Sequence, residues 1–276
     1  MSSAHSQTTQ SLPMVQLDWK MPKSVKAFAT MRQGGVSSGA FASLNLGGQV
    51  GDEKSNVLEN RRRLLAHAKG VTRLCFVNQV HGNDVVLLDG LQGSALNPTE
   101  EQYLLTSALL EADALVTCKK GLGLVILTAD CLPVFFASHD GAVVGVAHAG
   151  WRGLASGVLE KTVSLMRHEA RRRGASETIV AGFGPAIGPE KFEVGSEVRA
   201  AFLDRKNSLA ELFFKPGPVP GKFLANLYGL ASLRLGLVDV NVTGQYRHCT
   251  FSEPESFFSY RRDGQTGRQA SIIWIS

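Results

Sequence analysis

The chain of 276 residues has no apolar run long enough to span a bilayer, which argues against a transmembrane helix. Its opening stretch, MSSAHSQTTQSLP, is polar and lacks the apolar core of a secretory signal. Cytoplasm is the expected compartment, and residues 1–13 an expected disordered tail. Cysteine is scarce. Cys75, Cys118, Cys131 and Cys249 are scattered with no CxxC pair, which argues against a disulfide framework and leaves four thiols to be judged by their surroundings. Strong charge is missing too. A net +5 is mild and does not by itself indicate nucleic acid. The arginine triplets, Arg61 to Arg63 and Arg171 to Arg173, read as solvated helix faces, the second just before a capping Gly174. No repeat and no linker interrupts the chain, so residues 14–276 read as a single domain of mixed α and β elements.

Two enzyme signatures are also absent. GFGPAIGP is glycine-rich but lacks the lysine and hydroxyl residue of a P-loop, and reads as a tight loop shaping a pocket wall. The HxE and PCxxC pairs of the common zinc deaminases do not occur. Seven histidines are too few for a multicopper oxidase.

What is present is periodic. GDEKSNVLENRRRLLAHAKG and LASGVLEKTVSLMRHEARRRG carry apolar residues at helical spacing, and EEQYLLTSALLEA has helical period too. GSEVRAAFLDR and KFLANLYGLASLRLGL are further helix candidates, while ADALVT, GLGLVILTA, VDVNVTG and ASIIWIS read as strands. LPVFFAS, HDG and AVVGVAHA form a hairpin candidate, because Asp140-Gly141 is a favoured turn pair.

That hairpin carries chemistry. If Asp140 and Gly141 form the turn, His139 faces Ala142 and paired residue numbers sum to 281. Pro133 then lies opposite His148, and Cys131 falls on the same face one diagonal step away. A thiol and an imidazole at a sheet end read in three ways: a nucleophile with its base, a pair of zinc or copper ligands, or a buried cysteine beside a structural histidine. His81, in FVNQVHGND, ends another apolar run. Three such ligands would leave a fourth metal position open, as in catalytic zinc sites. Gln79, two residues before His81, would project to the same face and could bond substrate or hold the histidine. Arg152 follows His148 closely enough to reach the same pocket, as an anion contact or as a partner of Asp130. Trp151 reads as a core indole sooner than a base-stacking platform.

Taken in order, TMRQGGVSSGAFASLNLGGQVGD, NQVHGNDVV, EADALVT, TADCLPVFF, HAGWRG, GFGPAIGPEKFEVG and CTFSEPESFFSYRRDGQTGR resemble the multicopper polyphenol oxidase or laccase-domain family, also called the YfiH family. The likeness covers nearly the whole chain after the tail. It implies an α/β/β/α sandwich with mixed sheets, like cysteine hydrolases of the deamidating-toxin type. It implies zinc, with copper as the lesser alternative, held by His81, Cys131 and His148 as metal and catalytic residues. Arg32 and Asn45 lie in family motifs and become candidate substrate or phosphate contacts, as does one of Arg261 and Arg262, with Arg261 chosen. EEQYLLTSALL reads as a local insertion. The implied reactions are phosphorolysis of adenosine, inosine, guanosine and methylthioadenosine and deamination of adenosine, with amide cleavage in peptidoglycan precursors as the alternative. A copper oxidase and a non-enzymatic zinc protein rank lower. The expected partners are a purine nucleoside and phosphate, with no nucleic acid or membrane, on a monomer.

Overall fold

The computed structural model describes residues 12–17, 19–90, 110–203, 208–245 and 248–276. Two large sheets carry the fold. The first has five strands in the order β1 (Met14–Gln16), β2 (Val25–Thr30), β14 (Gln269–Ile275), β6 (Leu122–Thr128) and β3 (Arg73–Cys75). The second has six, in the order β13 (Asn241–Gln245), β9 (Ile179–Phe183), β7 (Leu132–Ser138), β8 (Val144–Ala149), β5 (Ala114–Thr117) and β4 (Val85–Leu87). Both mix parallel and antiparallel pairs.

Strand residues point alternately to opposite faces, and that alternation builds three layers of core. Ala27, Leu124, Ile126 and Ile273 of the first sheet meet Leu115, Phe135, Ala137, Val144 and Val146 of the second. Phe28, Val125, Ile272 and Trp274 face outward from the first sheet and are covered by Leu64 and Ala68; Leu64 belongs to α1 (Lys54–His67). Val134, Phe136, Ala147 and Ala181 face outward from the second. They are covered by α3 (Val158–Arg172), through Leu159, Val163 and Met166, and by α5 (Leu227–Gly236), through Leu230 and Ala231. The result is the expected α/β/β/α sandwich. A small sheet of β10 (Glu193–Gly195), β12 (Lys222–Ala225) and β11 (Phe214–Pro216) lies beside α4 (Ser196–Phe202).

Several local expectations change. The helix read from LASGVLEKTVSLMRHEARRRG is two: α2 (Trp151–Ser156) ends at Gly157, whose φ of 95° is open to glycine, and α3 starts from the same residue. KFLANLYGLASLRLGL opens as β12, and its helix begins only after Asn226, whose side chain accepts from the Gly229 N–H as an N-cap. Arg61 is not on a solvated face. It is fully buried, stacked 4.1 Å from the Phe76 centroid, with its guanidinium donating twice to the Leu46 carbonyl. Burial lowers its pKa to about 10. Arg171 to Arg173 remain exposed, and Gly174 follows them at φ 64°. Leu12, assigned to the tail by sequence, is buried against the outer face of the first sheet. Residues 1–11 lie outside the described residues, as does all of the expected insertion at about 99–110 except its last residue.

Candidate active site

The hairpin register is the one its turn implied. Pro133 pairs with His148 and Ala137 with Val144, each pair summing to 281. The turn is looser than a two-residue one: Ser138 N–H bonds the Val143 carbonyl, while His139 N–H turns away to Thr178. The parity that sends Phe135 and Ala137 between the sheets also sends Cys131 there, and the parity of Val144 and Val146 does the same for His148. Both side chains therefore reach the end of the inter-sheet core, at the opening between the two sheets. His81 joins them from the loop before β4. One ligand atom from each of His81, Cys131 and His148 lies within 4.8 Å of the others, and among the described residues this is the one such group that could hold a metal.

The fourth member of this cluster is Asp113, immediately before β5. It is fully buried. Its Oδ1 lies 2.7 Å from His148 Nδ1 and accepts from His81 N–H at 3.0 Å, while its Oδ2 accepts from Gly82 N–H at 2.6 Å and Val80 N–H at 3.2 Å. One carboxylate thus fixes one imidazole and the loop that carries the other. With Nδ1 engaged, the Nε2 of His148 is left as the ligand atom, the usual carboxylate–histidine arrangement at metals. Asp113 also offsets an unusual backbone, since His81 sits at φ 60°. Asp130, before Cys131, has φ 97°. Its carboxylate is held by the Thr250 hydroxyl and the Arg261 N–H, each at 2.7 Å.

Electrostatics tie the group together. Burial lowers the pKa of His148, but the Cys131 sulfur and Asp113 outweigh it and bring it up to about 9. Burial and the neighbouring His148 push His81 down. Burial raises Asp113, yet its bond to His148 leaves it below the usual carboxylate range. The donor set itself tests the fit of a metal. Bonds of about 2.0–2.3 Å in a tetrahedral site place donors roughly 3.5 Å apart, within small side-chain rotations of the spacing here. Gly150 leaves the room: a Cβ there would meet His81 Nδ1 at 2.7 Å and Cys131 Sγ at 3.3 Å.

The triad lines a cavity of about 520 Å³, within the usual range for small-molecule sites. Gly47, Gln49, Gln79, Thr128, Tyr260 and Arg268 complete much of its wall. Arg268 was missed by sequence reasoning, although it is the last residue of the SYRRDGQTGR motif. Burial lowers its pKa, and Cys131 and Asp130 are the first of the groups that oppose this. Asp113 was missed too, although EADALVT shows a carboxylate in an otherwise apolar setting.

The expected substrate contacts are mostly redistributed. Gln79 reaches the cavity wall, but its amide donates to and accepts from the Leu127 backbone, both at 2.8 Å. Asn45 is fully buried and does not line the cavity. Its Oδ1 accepts from Gly47 and Arg268 N–H, and its Nδ2 donates to Asp52 and the Gly47 carbonyl. Arg32 donates to the carbonyls of Ala42 and Pro254 and stacks on Phe258, away from the cavity. Arg152 and Arg261 line a separate pocket, with Trp151 in its wall. Asp130 is not the partner of Arg152. Arg262, not Arg261, is the inward member of its pair, donating to the carbonyls of Thr250, Phe251 and Phe257.

A sandwich with a His–Cys–His group at the end of its inter-sheet core defines a class, and comparison with known proteins gives the family. The model of the family described as "Multi-copper polyphenol oxidoreductase laccase" matches residues 26–276, and the chain belongs to that family. It is 44% identical to a purine nucleoside phosphorylase of Haemophilus influenzae over 94% of this chain and 97% of that protein. It is 44% identical to the purine nucleoside phosphorylase YfiH of Escherichia coli over 93% and 96%. A crystal structure of a Neisseria meningitidis protein superposes with a TM-score of 0.79 at 39% identity, covering 95% of this chain and 99% of that one. Among the described residues, no helix is long and apolar enough to cross a membrane.

Proposed function

We propose that this chain is a zinc-dependent purine nucleoside enzyme that phosphorolyses adenosine, inosine, guanosine and methylthioadenosine and also deaminates adenosine. The observation that carries it is the His81–Cys131–His148 group opening onto a cavity of nucleoside size with a half-buried guanidinium, Arg268, in its wall. The printed names of the relatives support the substrate class. Two nitrogens and one thiolate favour zinc over harder ions, and three protein ligands suit a catalytic site more than a structural one. Zinc held there supplies Lewis-acid chemistry.

The chain's own residues do the rest. The cavity encloses the nucleoside and limits water. Arg268 holds an anion beside the triad, where phosphate oxygen can attack C1′. The C1′–N9 bond breaks, its electron pair and the proton given up by phosphate go to the base, and free base and the sugar 1-phosphate result (5-methylthioribose 1-phosphate from methylthioadenosine, ribose 1-phosphate from the others). Asp113 keeps His148 oriented throughout. The reading further holds the protein to be cytoplasmic and monomeric, with residues 14–276 as one domain and no nucleic-acid partner. Incubating zinc-loaded protein with each nucleoside, with and without phosphate, tests it. Free base that requires phosphate supports phosphorolysis, and inosine from adenosine without phosphate supports deamination. Absence of base, ribose 1-phosphate and inosine would sink it.

One observation favours a second reading. The Cys131 sulfur lies beside the His148 imidazole, and Asp113 bonds Nδ1 of the same ring. Nucleophile, base and orienting carboxylate are the parts of a cysteine amidase. In that reading the Cys131 sulfur attacks an amide carbonyl, the amine leaves with a proton from His148, and water releases the acid. A peptidoglycan-precursor amide is the substrate class, and trapping of an acyl-enzyme on Cys131, lost in Cys131→Ser, is the test.

A further inference from the structure

A second pocket, of about 250 Å³, shares no lining residue with the metal cavity. Its walls are Trp151 and Arg152 at the start of α2, Phe192 and the β10 strand that follows it, Glu197 and Val198 of α4, Lys222 of β12, and Arg261 of α6 (Tyr260–Asp263). Three cationic side chains thus converge from three separate parts of the chain, around residues 152, 222 and 261. Two of them are held as flat plates. The Arg152 guanidinium lies 4.4 Å from the Trp151 ring centroid, and that of Arg261 lies 5.3 Å from the Phe192 centroid. Stacking fixes the plane of a guanidinium while its edge N–H donors stay free for a bidentate acceptor.

Their charge is not consumed by neighbours. Among the described residues, the side chains of Arg152 and Lys222 make no hydrogen bond or ion pair, and the Arg261 side chain spends only Nη1, on the Glu193 carbonyl at 2.6 Å. Glu193 and Glu197 also line the pocket, and Glu197 folds back against Gly195. Three cations against two carboxylates leave the pocket net positive. The deeper wall is apolar, since Phe192, Val194 and Val198 are buried. Apolar depth under a cationic rim suits an organic anion or a compact inorganic one. The pocket is also joined to the candidate metal cluster, because the Arg261 N–H bonds at 2.7 Å the carboxylate of Asp130, the residue before Cys131.

We infer that Arg152, Lys222 and Arg261 form a phosphate-binding subsite, separate from the metal cavity, that takes free phosphate or the phosphate group of a nucleotide. Bidentate acceptance from two stacked guanidiniums is the recognition expected for a phosphate. The inference does not depend on which reaction the metal cavity performs.

Trp151 provides the readout. The other two tryptophans, Trp19 and Trp274, are buried and do not line the pocket. The full-length, zinc-loaded protein is titrated separately with inorganic phosphate and with adenosine 5′-monophosphate, following indole fluorescence, with adenosine as the uncharged control. A saturable change with at least one phosphate compound, weakened at least tenfold in Arg152→Met and in Arg261→Met and absent in Trp151→Phe, is expected. Response to nucleotide alone would identify an esterified phosphate as the ligand, and response to both a free one. Cys131→Ala should leave this binding within about twofold. Unchanged affinity in both arginine variants, or binding that disappears with Cys131→Ala, would overturn the subsite. A folded variant is verified by circular dichroism, and Arg152→Lys, which keeps charge but loses the fork, should fall between wild type and Arg152→Met. Loss of nucleoside turnover with phosphate binding intact would count against the proposed reaction and not against this subsite.

Discussion

Asp113 and His148 lie 2.7 Å apart, both buried, and the same carboxylate also receives the backbone N–H groups of Val80, His81 and Gly82. Asp113 therefore places two of the three candidate ligands at once. Asp113→Asn keeps the shape but replaces an acceptor with an amide that must donate from one end. Each oxygen serves two contacts, so whichever end carries the amide, two of the four lose their acceptor. Metal affinity should fall about 10- to 100-fold, the usual cost of removing the residue behind a ligand. Competition with a chromogenic zinc chelator measures it. Affinity within twofold of wild type would remove Asp113 from the site.

Gly150→Ala separates the metal site from the fold. Gly150 has φ −61° and ψ 155°, an extended conformation any residue adopts, so alanine brings no backbone strain. The methyl group instead enters the space between His81 Nδ1 and Cys131 Sγ. Metal stoichiometry measured by elemental analysis should drop well below that of wild type, while far-ultraviolet circular dichroism stays the same. Full metal content in Gly150→Ala would show that the ion sits elsewhere.

Much of this was open to the sequence, and the reasons for success and failure differ by residue. The hairpin register followed from Asp140-Gly141, and it put Cys131 beside His148 because alternation along a strand is rigid. Strand parity likewise assigned both faces of each sheet. His81 was recoverable only through resemblance, since nothing local links it to Cys131 across about 50 positions of chain. Asp113 gave no periodic signal, because one carboxylate before a strand looks the same whether it caps, faces water or supports a ligand. Arg32 and Asn45 were read as substrate contacts for a related reason. Their partners include Pro254 and Arg268, more than 200 residues away, and a polar residue committed to such bonds is indistinguishable in sequence from one waiting for a ligand. Arg61 was misread because an arginine triplet on a helix suggests solvent, whereas the helical turn aims only Arg62 and Arg63 away from Phe76.

Asn45 should therefore behave as a structural clamp on the cavity wall. All four hydrogen-bonding positions of its amide are used, holding the Gly47 backbone, the Arg268 N–H and Asp52. Asn45→Ala strands these groups, and a buried unsatisfied polar group costs about 1–3 kcal/mol. A fall in unfolding free energy of that size is expected from urea titration. Because Gly47 and Arg268 line the cavity, KM for the nucleoside should rise as well. A stability unchanged within about 0.5 kcal/mol, the scale of an inert surface substitution, would deny the clamp.

Cys118 gives a pH dependence with a definite sign. Burial, and after it the Asp89 carboxylate, raise its pKa from 9.0 to about 11. Arg173 opposes them only in part. Well below pH 9 the thiol is almost wholly neutral in folded and unfolded chains alike, so it contributes little pH dependence there. Between pH 9 and 11 the unfolded chain ionises this group and the folded one resists, which means the unfolded state holds fewer protons and stability falls as pH rises. The denaturation midpoint should decline across that window, and Cys118→Ala should flatten the decline relative to wild type. In the folded protein, alkylation of Cys118 by iodoacetamide at pH 8 should also run far slower than in urea, followed by peptide mass spectrometry, because the thiolate is the reacting form. Equal alkylation rates in folded and unfolded protein, together with parallel midpoint curves for the two chains, would mean that the fold leaves this thiol as it is in water.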